Sequence, residues 1–412
     1  MRALTCIGVL TILSIGTTVS YAQTAAAADP LESMPIRFGS IGLNPTLAIT
    51  NFGIDDNIFN DATDPQRDFT MTVTPRLQAR LRSGKVLLSG TVATGLVYYK
   101  EFDDERSIDY TADGRVDVDL GWFQPYALAS LLDTRERLNA ELDVRAPRTQ
   151  TTLAAGTRVI LSPKTGLVFD VRTAGLDFAE GTFFDGVPIA RTLNSTTRTI
   201  DGGLELYLTP LTTLAVTASH QTDRFDESPG RDSDTFRIMP SIRMEAPAII
   251  QGSLAVGYRR FSVFDPETPD YSGFVVQGSL THTFAERTKL DLTLSRDVQY
   301  SFEETEPYYL TTGFRVVVTQ QLGESLDVRG IVGRDRLDYR EEATSGVPSG
   351  FGPGLDNDSR IDHASVLGAG VGYRFQPNLR TGLDVEFARR TSDRPDRQYD
   401  RTRVFASLTY GF

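Results

Sequence analysis

Between Phe69 and Leu81 the chain changes character at every residue: Phe69, Met71, Val73, Pro75, Leu77, Ala79 and Leu81 alternate with Thr70, Thr72, Thr74, Arg76, Gln78 and Arg80. A period of two puts the first set on one face of a β-strand and the second on the other. The same sorting returns in Ile108, Tyr110, Val116, Val118 and Leu120 against Asp109, Thr111, Asp113, Arg115, Asp117 and Asp119. It returns again where Leu290, Leu292 and Leu294 oppose Lys289, Asp291, Thr293 and Ser295, and where Leu383, Val385 and Phe387 oppose Asp384, Glu386 and Arg390. Strands this two-faced need an apolar and an aqueous environment at once. A soluble sandwich provides them with apolar faces inward, a transmembrane barrel with apolar faces toward lipid and polar faces around a lumen.

The connections separate these solutions. Short ones with turn-forming residues fall at Ser83-Gly84, 121–125, Ser162-Pro163-Lys164, Thr209-Pro210, 245–247, Ala285-Glu286, Gly323-Glu324 and 376–378. Between them lie longer polar stretches at 52–66, 134–147, 180–191, 226–232, 265–270, 341–359 and 391–400. Short periplasmic turns alternating with longer external loops characterise outer-membrane barrels. Counting from a first strand near Leu43 to Asn51, the pattern predicts an all-β fold. This is a transmembrane antiparallel up-and-down β-barrel of about 18 strands, in the range of roughly 16 to 18, with both chain termini on the periplasmic side.

The N-terminal residues predict an exported protein. Arg2 is a short positive region, Leu4 to Ile15 an apolar one, and Ser20-Tyr21-Ala22 offers small residues for cleavage after Ala22. Residues 1–22 thus read as a signal peptide, 23–40 as a short periplasmic tail and 41–412 as the barrel. No later segment has the roughly 20 uninterrupted apolar residues of a spanning helix. Cys6, the single cysteine, falls within the signal, so the remainder carries no disulfide, thiolate metal site or cysteine nucleophile. A net charge of −12, with only four lysines, argues against nucleic acid as a partner. At the other end, Val404, Ala406, Leu408, Tyr410 and Phe412 would share one face of a final strand. Tyr410 and the terminal Phe412 are the expected signal for the barrel-assembly machinery.

Aromatic residues gather near the expected strand ends. Tyr98, Tyr99, Phe102, Tyr258, Phe261, Phe264, Tyr300, Phe302, Tyr308 and Tyr309 are expected at the outer rim. Trp122, Phe123, Tyr126, Phe284, Phe375, Tyr410 and Phe412 are expected at the inner one, as lipid girdles require. The stretch from Gly42 to Asp61, GLNPTLAITNFGIDDNIFND, is similar to the opening of the beta-barrel porin 2 family of outer-membrane barrels, through Asp55, Asp56, Asn57, Ile58 and Phe59. The resemblance extends in general build over nearly the whole mature chain. It implies an outer-membrane protein, in a family some of whose members accompany exopolysaccharide synthesis and export.

A barrel of this size encloses water. Its wall is expected to carry Arg76, Arg80, Arg115, Arg158, Arg172, Arg237, Arg243, Arg259, Arg315, Arg329 and Arg380 amid Asp113, Asp117, Asp170, Asp201, Asp291, Asp327 and Asp384. Two readings fit: opposed charges that cancel as a structural network, or an arginine ladder guiding an anionic solute or sugar acid. Catalysis is not expected, since His220, His282 and His363 are scattered. Asp356, Asn357, Asp358 and Asp362 lack calcium-loop spacing and read as a solvated acidic loop, so neither a cofactor nor a metal is expected. The expected partners are outer-membrane lipid and lipopolysaccharide, the assembly machinery, and a polysaccharide or small solutes in the lumen. The alternative is a non-conducting barrel that binds a surface partner.

Overall fold

The structure, a computed structural model, describes residues 31–32, 34–246, 248–340 and 360–412. The expected signal peptide and the acidic residues Asp356, Asn357 and Asp358 lie outside the described residues. Eighteen long strands follow one another in the chain. They are β1 (Ile41–Asp55), β2 (Asp68–Ser83), β3 (Val86–Tyr99), β4 (Ser107–Val118), β5 (Phe123–Thr134), β6 (Arg148–Ser162), β7 (Thr165–Phe178), β8 (Ser195–Thr209) and β9 (Thr212–Phe225). The second half comprises β10 (Ser233–Met244), β11 (Ile250–Val263), β12 (Tyr271–Phe284), β13 (Thr288–Tyr300), β14 (Tyr308–Leu322), β15 (Leu326–Arg340), β16 (Ile361–Gln376), β17 (Leu379–Thr391) and β18 (Tyr399–Gly411).

Each strand pairs antiparallel with its neighbours in sequence, and β1 pairs with β18 from Thr46 opposite Gly411 to Asp55 opposite Arg403, which closes the barrel. Closure leaves no unpaired sheet edge, the only way a sheet can sit in hydrocarbon. Strands of 12 to 16 residues at about 3.3 Å per residue and about 40° of tilt make a wall about 30 to 40 Å tall, enough to cross a bilayer. Connections of two to five residues alternate with connections of seven or more, which defines a turn end and a loop end. The first strand runs four residues beyond its expected end, past a bulge between Ile49 and Phe52. Gly53 sits just after the bulge, where a Cβ would collide with the Val404 carbonyl of β18. Any side chain there would pry open the closing seam.

The sorting of side chains follows the sequence period. Leu153, Phe169, Ile200, Phe274, Leu367 and Leu383 are exposed on the outer wall, while Arg158, Asp170, Glu205, Asp223 and Arg259 are buried on the inner one. Apolar residues outside and buried charge inside invert the soluble arrangement. Inside, tyrosine rings lie over glycines of the next strand: Tyr126 of β5 covers Gly156 of β6, where a Cβ would strike the ring.

Six of the ten aromatic residues expected at the outer lipid rim are elsewhere. Tyr98, Tyr258 and Phe264 are exposed, but Tyr99, Phe261, Phe302, Tyr308 and Tyr309 are buried. At the turn end Tyr126 is buried too, its hydroxyl bonded to Asp170. Strand parity explains Phe261, which follows the inward Arg259. For β13 the cause is a departure from the regular sheet: its pairing with β12 stops at Arg296, and the tip carries Tyr300 to Asp223 of β9, inside the barrel. Phe225, Phe261, Tyr300 and Tyr308 then pack edge to face at 4.8 to 5.8 Å. Two loops absent from the expected set, 100–106 and 301–307, also stand at the loop end.

Candidate functional site

The arginines and aspartates expected to face the lumen occupy the inner face of eleven strands. Arg76 and Arg80 come from β2, Asp113, Arg115 and Asp117 from β4, Arg158 from β6, Asp170 and Arg172 from β7, and Asp201 from β8. Arg237 and Arg243 come from β10, Arg259 from β11, Asp291 from β13, Arg315 from β14, Asp327 and Arg329 from β15, Arg380 and Asp384 from β17. Most are brought into ion pairs. Glu205 is clasped from both sides, by Arg158 at 2.9 Å and Arg243 at 2.7 Å, and accepts the Tyr207 hydroxyl at 3.0 Å. Arg259 and Arg237 converge on Asp297 at 2.6 and 3.4 Å. Arg329 meets Asp384 at 2.6 Å, Arg380 meets Asp327 at 2.5 Å, Arg115 meets Asp117 at 2.7 Å and Lys289 meets Asp291 at 2.9 Å. Arg172 lies 3.5 Å from Asp170, and Asp201 accepts the Ser219 hydroxyl. Arg76, Arg315 and Asp113 join no ion pair within 4 Å among the described residues, although Arg315 attracts Asp335.

The wall is therefore a set of cancelling pairs with a few free charges. A buried pair such as Arg158 and Glu205 gains little net stability, because desolvation offsets the attraction, but removing one partner strands the other at a cost of about 3 to 5 kcal/mol. Chemically the wall offers water and permeating solutes alternating donors and acceptors, with little net sign.

The loop end is different. Residues 135–147, between β5 and β6, fold across the lumen and are held from every side. Arg137 donates to the Ile58 carbonyl at 2.5 Å and pairs with Asp143 at 2.8 Å, and the Asn60 amide donates to Asp143 at 2.5 Å. From β17, Arg390 donates to the Ala140 carbonyl at 2.7 Å, and from the β13–β14 loop the Ser301 hydroxyl donates to Glu141 at 2.8 Å. Leu142 and Ala146 are buried against Phe178, Ile189, Leu193 and Phe302, two of which belong to the short helix Ile189–Leu193 of the β7–β8 loop. Arg397, from the β17–β18 loop, lies between the rings of Phe184 and Phe302 at 4.6 and 4.7 Å. Five loops thus meet over the lumen.

Beside this cap sits a second charged cluster. Asp362 is fully buried and accepts Arg360 at 2.8 Å and Arg390 at 2.6 Å, and Arg360 also reaches Glu306 at 2.9 Å. Asp362 was expected in a solvated acidic loop; two guanidinium groups that fold over it remove it from water. Burial raises the Glu306 carboxyl above its ordinary value, with Arg360 and Arg394 pulling the other way. Burial pushes Glu141 further, up to about 7, against Arg397, the Ser301 hydroxyl, Arg390 and Arg360. One Glu141 oxygen, Oε2, has no hydrogen-bond partner. A buried, half-satisfied carboxyl is costly as a carboxylate and comfortable as an acid.

Nothing in the strand pattern marked Glu141, Ser301, Arg360, Arg390 or Arg397 as a group. A signal was nevertheless present: Leu138, Ala140, Leu142, Val144 and Ala146 make residues 135–147 too apolar, at every second position, for a loop standing in water.

A polar lumen, a lipid-facing apolar wall and closure by the first and last strands are the architecture of an outer-membrane channel. The family model described as "Putative beta-barrel porin 2" matches residues 29–412. The chain belongs to the beta-barrel porin 2 family. It is accordingly an outer-membrane barrel that forms an aqueous passage, with its turn end in the periplasm and its loop end outside. No characterised protein matches it by sequence. Among solved structures it is similar to the outer membrane protein OpdK from Pseudomonas aeruginosa, at TM-score 0.47 and 11% identity over 90% of this chain and 99% of that one. It is also similar to OccK2 (OpdF) from the same organism, solved with glucuronate, at TM-score 0.47 and 11% identity over 90% of this chain and 96% of that one. The siderophore receptor PirA from Acinetobacter baumannii gives TM-score 0.45 and 10% identity over 92% of this chain and 81% of that one.

Proposed function

We propose that this beta-barrel porin 2 protein is a restricted diffusion channel for small polar solutes, sugars among them, whose loop-end mouth is narrowed by residues 135–147. The observation that carries this reading is the anchoring of that segment to side chains from the β1–β2, β7–β8, β13–β14 and β17–β18 loops together with Arg390 of the wall. Such a lid limits the size of what passes, and the paired wall charges favour hydroxyl-rich solutes over strong selection for anions. Arg76 and Asp113 are among the wall charges available to a solute. Residues 1–22 act as a cleaved signal peptide and Tyr410 with Phe412 as the assembly signal. The protein has no catalytic role in this reading. Exopolysaccharide export, with whose machinery some members of the family are associated, would require the cap to swing aside to admit a polymer.

Conductance of the purified protein in planar bilayers tests the proposal. Small, discrete channel steps that grow when residues 138–146 are replaced by a short Gly-Ser linker support it. The contacts that seal the mouth also favour a second reading, a non-conducting barrel with a surface-binding cap. A folded protein that stays silent both with and without the cap would establish that second reading and end the first.

A further inference from the structure

Within the strands, among the described residues, the lipid-facing wall carries Asp, Glu, Lys or Arg only in its loop half, and the periplasmic half carries none. The loop-half charges are not evenly spread. Four adjacent strands, β13 to β16, and their neighbour β17 bring Arg296, Arg334, Arg336, His363 and Arg389 onto one outer patch. Arg296 and Arg336 flank Thr312, each directly opposite it, and Arg334 and Arg389 flank Ser365 in the same way. His363 stands opposite Arg336. Two strand spacings separate the members of each pair, about 10 Å, so guanidinium groups from both sides reach a common point above the hydroxyl between them.

Carboxylates do not balance this patch. Asp338 lies 3.8 Å from Arg336 but is closer to Arg340, at 3.2 Å, and Asp400 lies 3.5 Å from an exposed Arg389. Arg296 bonds only to neutral oxygens, the Phe274 carbonyl at 3.2 Å and the Thr312 hydroxyl at 2.7 Å. Arg334 has no hydrogen bond or ion pair among the described residues. It also sits six residues below the end of β15, deeper than any other charge on that face. An unpaired cation on a lipid-facing wall is expensive unless the surroundings supply a counter-charge. Solvent on this face is the outer leaflet, so the counter-charge must belong to a lipid headgroup.

We propose that this patch is a binding site for the phosphate groups of the outer-leaflet glycolipid, lipopolysaccharide, with Arg334, Arg336 and Arg389 as the principal donors and Thr312 and Ser365 completing the niche. Planar guanidinium groups form bidentate contacts with phosphate oxygens, and their apolar stems lie along the wall while the heads rise to the headgroup layer.

Protein extracted from outer membranes, exchanged through detergent and assayed by mass spectrometry for 3-hydroxy fatty acids, tests the site. The R334Q/R336Q/R389Q variant should lose about tenfold or more of the retained lipopolysaccharide, since one charge-assisted bond is worth about a decade of affinity. R198Q, a lipid-facing arginine outside the patch, should retain it. R334K/R336K/R389K should retain an intermediate amount, and dephosphorylated lipid should rebind poorly to the wild type. Equal retention by a triple glutamine variant with wild-type heat-modifiable migration would overturn the site. Should that variant fail to fold, R334Q alone decides, undiminished retention again counting against it. Rebinding of dephosphorylated lipid at full strength would overturn the phosphate assignment, and displacement of bound lipid by millimolar inorganic phosphate would show that a free anion is the true ligand.

Discussion

Asp55 of β1 and Arg401 of β18 form a clasp across the closing seam: both carboxylate oxygens accept from Arg401 Nε, at 2.8 and 3.0 Å, and one accepts also from Nη2. The adjoining residues extend it. Asp56 accepts the Thr402 amide at 2.6 Å, and Asn57 donates to the Asp61 and Asp400 carbonyls at 2.8 and 3.1 Å. Ile58 is buried and offers its carbonyl to Arg137. The stretch Asp55 to Ile58 is thus the joint between the two end strands, and also an anchor of the cap.

Breaking that joint should be costly. Asp55→Ala leaves Arg401 largely enclosed without its partner, which in comparable buried pairs costs about 3 to 5 kcal/mol. The temperature at which the folded band converts to the unfolded one in heat-modifiable electrophoresis should fall by several degrees. A barrel as heat-resistant as the wild type would show the clasp to be dispensable.

Acidity should tighten the mouth. Glu141 has its carboxyl raised from 4.5 to about 7, so the proton is held more firmly in the folded cap than in an opened one. Its stabilisation is complete below pH 4.5 and is lost as the pH climbs to about 7. Conductance should therefore be lower at pH 5 than at pH 8, and Glu141→Gln, which keeps the Ser301 contact without a titrating proton, should remain in the low-conductance state at both. A pH response undiminished in the variant would assign the effect to another group.

The wall offers a test of its own. Glu205→Gln removes the charge shared by Arg158 and Arg243 and makes the lumen there more positive by one charge, with Glu245 still 3.7 Å from Arg243. Reversal potentials in a salt gradient should move toward chloride, while unitary conductance changes little. An unmoved reversal potential would place the permeating ions away from this cluster.

Removing a strut of the cap should loosen it without harming the barrel. Ser301→Ala takes the hydroxyl from Glu141 and should raise the frequency of open-channel noise, with heat-modifiable migration unchanged, because strand pairing does not pass through Ser301. Quiet recordings identical to the wild type would mean that the Leu142 packing alone holds the cap down.

Most of the barrel was legible because alternation, turn chemistry and closure all act locally or with a fixed period. The faces of β2, β4, β13 and β17 follow directly from residues such as Arg76, Asp113, Asp291 and Asp384, which are flanked by apolar or small residues and share their own face with polar ones two positions away. The cap was not legible in this way. Tyr300 and Tyr308 look like lipid-girdle residues until β13 parts from β12 beyond Arg296, a divergence that no period announces. Glu141 meets Ser301 across 160 positions and Arg390 reaches the Ala140 carbonyl across 250. Contacts at such separations depend on where the closed barrel places its loops.

The position of the clasp also orders events in time. Asp55 and Arg401 are 346 residues apart, so their contact closes a loop that takes in every intervening strand, and closing so long a loop favours late formation. Because Ile58 and Asn60, next to that joint, hold Arg137 and Asp143, the cap shares one of its supports with the closing seam. A barrel whose seam stood open would therefore hold its cap less firmly, which ties the width of the mouth to the closure of the ring.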